Sequence, residues 1–218
     1  RNEDYWGPEP YLDGAVFKVI TDINQHVNGL KTGEIDFSCK ISGEAVKLVN
    51  EDPNLRLLVA PNTSINFVGF NTEKGITADP KVRQALAEAV DLEDLCAGLY
   101  QYEEAVYAGQ PMPPASWGYD PSMDEYKQKY DPEHAKQLLT EAGYPDGFEI
   151  TITLSNSSTN TSLATILQQY WKQNLNVDLK INMSEWAVYS QTVTSGNHEI
   201  YAVGIDRSSQ LHRQMPRF

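Results

Sequence analysis

Three short segments carry the side chains best suited to holding a ligand. The first is the run Ser155-Asn156-Ser157-Ser158-Thr159-Asn160-Thr161-Ser162, between a predicted strand and a predicted helix. Its small polar side chains supply donors and acceptors around a helix N-terminus, where free N–H groups and the dipole favour a polar or anionic ligand group. The same residues serve equally if one of them simply caps the helix. The second is Glu185-Trp186, at the start of a further helix. An indole is large and rigid, with an apolar face and one N–H, so it either packs against varied ligand groups at little entropic cost or anchors its helix in the core. The third is the strand ending Tyr201-Ala202-Val203-Gly204-Ile205-Asp206. Catalytic patterns are absent. His26, His134, His198 and His212 lack metal spacing, and neither a Gly-x-Ser-x-Gly elbow nor a glycine-rich phosphate loop occurs. Glu103-Glu104 and Asp124-Glu125 are adjacent carboxylates in polar segments, which are ordinarily solvated.

The elements that position these segments follow from periodicity. Residues 14–20 are rich in β-branched side chains and predict a strand. Asp22 or Asn24 starts a helix ending near Gly33, a short strand spans 35–41, and a helix over 43–50 stops at Asp52-Pro53. Extended stretches 55–60 and 64–71 follow. From residue 74 an α/β pattern takes over. Asp79-Pro80 opens a helix with Val82, Leu86, Ala89, Val90 and Leu95 at helical spacing. Residues 101–130 hold much of the proline and aromatic content and read as an ordered loop that buries its tyrosines and Trp117. Asp131 then caps a helix with Pro132 at its first position and Gly143 at its end. Strand 148–154, helix 162–174, strand 177–183, helix 185–195 and strand 199–205 complete the chain, and this alternation implies crossovers and a largely parallel or mixed sheet.

Four phrases in order carry a resemblance. They are Arg1-Asn2-Glu3-Asp4-Tyr5-Trp6 with Pro10-Tyr11-Leu12-Asp13 and Leu30–Asp36; Gly69-Phe70-Asn71-Thr72 with Asp79-Pro80-Lys81-Val82-Arg83-Gln84-Ala85-Leu86; Pro111–Pro114 with Trp117-Gly118-Tyr119; and Tyr130-Asp131-Pro132-Glu133 through Glu141-Ala142-Gly143-Tyr144-Pro145-Asp146-Gly147-Phe148. Together they resemble the large solute-binding proteins of ABC importers, the family of oligopeptide-, dipeptide- and nickel-binding proteins. The resemblance implies a periplasmic-binding-protein-like α/β fold of type II, with two lobes that close on a ligand and no bond chemistry. Residues 1–73 would then be part of the large lobe leading to the hinge, and residues 74–218 the second, moving lobe, truncated at its C-terminal end. The chain would be an interior piece of a monomeric protein at the outer face of the membrane, lipid-anchored, or in the periplasm, delivering a peptide to a permease without a cofactor or metal. The runners-up are a nickel chelate, an oligosaccharide, or a solute sensor fused to a DNA-binding module.

The resemblance also implies a ligand set. The favoured chamber residues are Trp186, Asn160 and Asp206, with Phe67 near the hinge. Peptide-binding relatives carry Gly-Trp-x-x-Asp after the last strand, the aspartate holding the peptide's amino terminus. Counting from Gly204 puts Ile205 and Ser208 at those two positions, and Asp206 two residues early. A serine cannot replace a buried carboxylate facing an ammonium group.

Composition agrees with this reading without requiring it. At 218 residues and 40% hydrophobic the chain can bury a substantial core, and a net charge of −13 argues against nucleic acid or an anionic membrane as the main partner. Cys39 and Cys96 are too few for a disulfide scaffold, and Cys96, on the apolar side of a helix, reads as a buried thiol.

Overall fold

The structure, a computed structural model, describes all residues except 1–4, 9–10, 40, 61–62, 101–104, 106 and 207–218. Two compact units divide at Leu58/Val59. No helix among the described residues is long and apolar enough to cross a membrane.

The N-terminal unit is built on two helices. Helix α1 (Ile23–Thr32) begins where Asp22 accepts from the N–H groups of Asn24 and Gln25, and ends at Gly33 with φ 72°. Helix α2 (Glu44–Asn50) contributes Ala45 and Val49, which close a small core with Val27. The His26 ring bridges the Ile20 carbonyl at 3.0 Å and the Ser38 hydroxyl at 2.9 Å. Among the described residues the strands expected at 14–20 and 35–41 do not form. Val16, Phe17 and Val19 stand 88–95% exposed. Strand propensity expresses packing on a pleated, half-buried surface, and no described neighbour offers these residues a ladder.

The second unit is the α/β pattern. Its elements are β1 (Ser64–Phe70), α3 (Pro80–Glu88), α4 (Leu92–Leu99), α5 (Pro132–Glu141), β2 (Glu149–Ser155), α6 (Ser158–Leu175), β3 (Asp178–Ser184), α7 (Trp186–Thr194) and β4 (Ile200–Asp206). The sheet order is β1-β4-β2-β3, with β2 parallel to both neighbours and β1 antiparallel to β4. Strand β1 therefore belongs with the second unit. The connection β2-α6-β3 travels one way across the sheet and β3-α7-β4 the other. Right-handed crossovers then put α6 and α7 on opposite faces. The packing agrees. Ala164, Leu167, Trp171 and Leu175 of α6 join the main cluster with α3, α5 and the inner faces of β2 and β4, whereas the buried Tyr189 of α7 lies outside it.

Two expectations are corrected here. The helix predicted from Asp79 through Leu95 is two helices, because Asp91 accepts from the N–H groups of Glu93 and Asp94, each at 3.1 Å, and restarts the chain as α4. Among the described residues of the proline-aromatic segment, Trp117 is 86% exposed rather than buried. That segment is held by polar pins instead: the Gln110 amide donates to the Asp120 carbonyl at 2.7 Å, and the Tyr119 hydroxyl to Asp124 at 2.6 Å. Cys96 is half-buried, and burial pushes its thiol up.

The end of α3 is satisfied one carbonyl at a time. Trp171 Nε1 donates to the Leu86 carbonyl at 2.8 Å, the Gln128 amide to Ala87, the Asp131 N–H to Glu88 at 2.9 Å and the Asn174 amide to Ala89 at 2.8 Å. These are the last carbonyls that a helix leaves without internal partners. Along the surface, Lys81 meets Glu141 at 2.6 Å and His134 Nδ1 meets Glu88 at 2.6 Å, zipping α3 to α5. The bond to Glu88, with its charge and those of Asp131 and Glu141, raises the His134 pKa above its usual 6.5. The folded chain therefore binds this proton more tightly than the unfolded chain, so the contribution is complete below about pH 6.5 and is lost as pH rises through the raised value. His134→Gln is expected to lower the urea midpoint at about pH 5.5, and by progressively less as pH rises through the raised value. A deficit independent of pH would show that the ion pair is not what the substitution removes.

The turn joining α5 to β2 is fixed by two glycines. Gly143, with φ 89°, ends α5 as expected. Gly147, with φ 81°, has the backbone carbonyl of Asn176 against the place where a Cβ would stand. Gly147→Ala combines a left-handed penalty with a backbone clash and is expected to destabilise the unit by about 2–4 kcal/mol. An unchanged urea midpoint would mean that this turn relaxes freely.

Candidate functional site at the strand ends

The polar run after β2 is half helix. Ser157 Oγ accepts from the Asn160 N–H at 3.1 Å and caps α6, which starts at Ser158 rather than at 162. Asn160 turns its amide back onto β2, donating to the Ser155 carbonyl at 2.7 Å and the Ser155 hydroxyl at 3.1 Å. Its Oδ1 then has no hydrogen-bond partner among the described residues. The Asn156 N–H donates to the Ser184 carbonyl at 2.9 Å and the Asn156 amide to Glu185 Oε1 at 2.9 Å. The turn after β2 is thereby tied to the turn after β3. These two adjacent parallel strands feed helices on opposite faces, which is the switch point where open α/β sheets form ligand crevices at their carboxyl ends.

Trp186 opens α7 and is 61% exposed. Tyr189, one helical turn on and 2% exposed, anchors that helix instead. Its ring lies 5.5 Å from the indole, its hydroxyl donates to the Ala202 carbonyl at 2.7 Å, and burial pushes its pKa up to about 12. An indole held at the rim by a buried neighbour is available to a ligand.

Phe67 sits in β1 opposite Val203. Continuing the register from Ile152↔Ile200 and Thr153↔Tyr201 sets Val203 beside Ser155, which itself pairs with Ser184. By residue count Phe67, Val203, Ser155 and Ser184 stand level across the four strands, about 14 Å at the usual strand spacing and comparable to four extended residues, although the β2–β4 ladder itself ends at Thr153↔Tyr201. Phe67 is half-buried, with its ring edge-on to Tyr201 at 6.1 Å. Beyond the row, β1 and β4 run on as a pair to Ser64 and Asp206, so a two-stranded wall rises beside the lower floor of the β2 and β3 ends. Asp206 is at the top of that wall, paired in register with Ser64. Ser208, like Glu103, Glu104 and His212, lies outside the described residues.

Asn160 follows the end of β2 in the first turn of α6, Trp186 follows the end of β3 at the start of α7, and Phe67 lies in β1 opposite Val203. The grooves of about 570 Å³ beside Lys18, Asn28 and Glu34 and about 360 Å³ beside Gln168, Lys172 and Asp178 include none of these residues. What sequence reasoning missed is the bond from Asn156 to Glu185. The signal was an N-cap glutamate, a residue type that caps poorly.

Comparison with known proteins agrees with this architecture. The chain is 33% identical over 202 residues to heme-binding protein A of Haemophilus influenzae, covering 89% of this chain and 36% of the relative. It is 29% identical over 207 residues to the dipeptide-binding protein of Escherichia coli, covering 93% and 38%. It superposes with a TM-score of 0.74, at 30% identity, on the ABC transporter-associated periplasmic binding protein DppA from Helicobacter pylori in complex with the peptide STSA, covering 94% of this chain and 39% of that one. The chain thus spans well under half the length of the relatives it resembles. Residues 1–211 match the sequence model of the bacterial extracellular solute-binding proteins, family 5 Middle, and the chain belongs to that family.

Proposed function

We propose that this chain is part of the solute-binding component of an ABC importer, which captures a short peptide at the rim of the β2-β4 sheet and delivers it to a membrane permease. The observation that carries this reading is the exposed, Tyr189-supported Trp186 at the start of α7, directly after the carboxyl end of β3. Its companions are the half-buried Phe67 of β1 and Asn160 in the first turn of α6, whose amide nitrogen is committed to Ser155. A row of about 14 Å suits an extended peptide of a few residues. An open step on one unit needs a second surface to cover the ligand, and closure of two lobes supplies one. The lobe assignment that goes with this puts the sheet unit in the moving lobe and the N-terminal unit in the large lobe. Binding and release then involve no bond chemistry. The protein would work at the outer face of the membrane, held by a lipid, or in the periplasm. The relatives reported above are named for peptides and heme, and none of the three is named for a regulator, a nickel chelate or an oligosaccharide.

Calorimetry on the full-length protein with peptides of two to five residues, and with heme in parallel, is the test. Micromolar or tighter binding of at least one peptide length is expected. Tight heme binding with no peptide response would overturn the peptide reading and keep the family.

A further inference from the structure

We propose that His198 is an acid-sensitive joint between α7 and β4, where uptake of a proton loosens the turn that closes the end of α7; the peptide reading above is not needed for it. The ring lies edge-on to Tyr201 of β4, with centroids 4.9 Å apart. Its Nδ1 is buried without a hydrogen-bond partner among the described residues, while the Thr192 carbonyl in the last turn of α7 bonds the ring. That bond therefore runs through Nε2, and the neutral tautomer with its hydrogen on Nε2 is the satisfied one. A second proton creates a buried N–H at Nδ1 that faces no acceptor, and a charge with it. The backbone on both sides of the ring is held as well. The Asn71 amide donates to the Gly196 carbonyl at 3.1 Å and to the His198 carbonyl at 2.9 Å, and the Asn71 N–H to the Glu199 carbonyl at 2.8 Å. The Asn197 N–H closes α7 on the Thr192 carbonyl at 3.0 Å. The charged ring thus reaches water only by leaving Tyr201 and straining this turn.

The groups around the ring leave that charge uncompensated. Burial holds the His198 pKa below its usual 6.5; the Thr192 carbonyl of α7 opposes this, and the Lys74 charge, from the turn after β1, adds to it. From β4 comes Tyr201, whose pKa burial pushes up and which stays neutral. Glu199, next in the chain, gives its Oε2 to the Thr151 N–H at 2.8 Å, and no ion pair among the described residues includes His198. Here the unfolded chain binds the proton more tightly than the folded one, the reverse of His134. The contribution to stability is therefore complete above about pH 6.5 and falls as pH drops toward the lowered value. The helix that loosens is the one whose first residue is Trp186.

The experiment is amide hydrogen exchange on the full-length protein at two pH values, read as the protection of residues 189–199 relative to that of α6. The ratio removes the pH dependence of the exchange chemistry itself, which both segments share. Between about pH 7.5 and about pH 5 the ratio in the parent is expected to fall about threefold or more, because the turn opens locally while α6 stays packed. In His198→Gln, which keeps a polar side chain at this place and takes up no proton, the ratio should hold constant. His198→Asn takes its place if the glutamine variant does not fold. A ratio that stays level in the parent overturns the proposal, and that measurement needs no variant. A fall of equal size in the parent and in the variant overturns it too, since the acid response then belongs to another group.

Discussion

Replacing Trp171 with alanine is expected to destabilise the sheet unit by about 3–5 kcal/mol, the range for removing a buried aromatic side chain. Trp171 is 1% exposed and sits in the main cluster between α3, α6 and the sheet. Its loss leaves a cavity, and it also removes the donor from the Leu86 carbonyl, with which it makes a 2.8 Å bond. An unsatisfied buried acceptor costs about 1–3 kcal/mol by itself. Trp171→Phe separates the two effects, because it keeps most of the apolar area and loses only the N–H; about 1–3 kcal/mol is expected for it. Urea unfolding monitored by circular dichroism measures both. A drop of under 1 kcal/mol for the alanine variant would mean that α3 and α6 close over the space, and that the carbonyl-by-carbonyl clasp at the end of α3 adds little rigidity.

The parts of this fold that were legible in the sequence are those specified by neighbours along the chain. Asp131, Pro132 and Gly143 mark both ends of α5 because a cap and a left-handed turn are local chemistry. The break between α3 and α4 was equally local. Asp91 carries the capping oxygen, but the apolar rhythm running across it hid the restart. The polar run after β2 was legible as to place and less so as to shape, since Ser157 starts α6 a full turn sooner than the first apolar residue suggests. By contrast, residues 14–20 have the composition of a strand and form none, because a ladder depends on what lies alongside and not on the segment itself. The row from Phe67 to Ser184 was beyond reach for the same reason. It depends on the register of four strands brought together from distant parts of the chain. The resemblance pointed to Trp186, but only the geometry separates its role from that of Tyr189, since either aromatic could have been the buried one.

That separation yields the second large effect. Trp186→Ala in the full-length protein is expected to weaken peptide binding by about ten- to a hundredfold, the usual scale for truncating an aromatic anchor at a binding site. The unfolding midpoint should hardly move, because an indole that is 61% exposed gives up little buried area when removed. Tyr189→Phe should behave in the opposite way. It deletes the hydroxyl that donates to the Ala202 carbonyl at 2.7 Å and should cost about 1–2 kcal/mol of stability. Its effect on binding should be small, since the ring remains to support the indole at 5.5 Å. Calorimetry with trialanine and urea unfolding on the same two variants give four numbers, and the crossed pattern is what the geometry requires. If Trp186→Ala instead lowers stability as much as Tyr189→Phe and leaves affinity intact, the indole is a helix anchor, and the rim between β2 and β3 is not where the ligand sits.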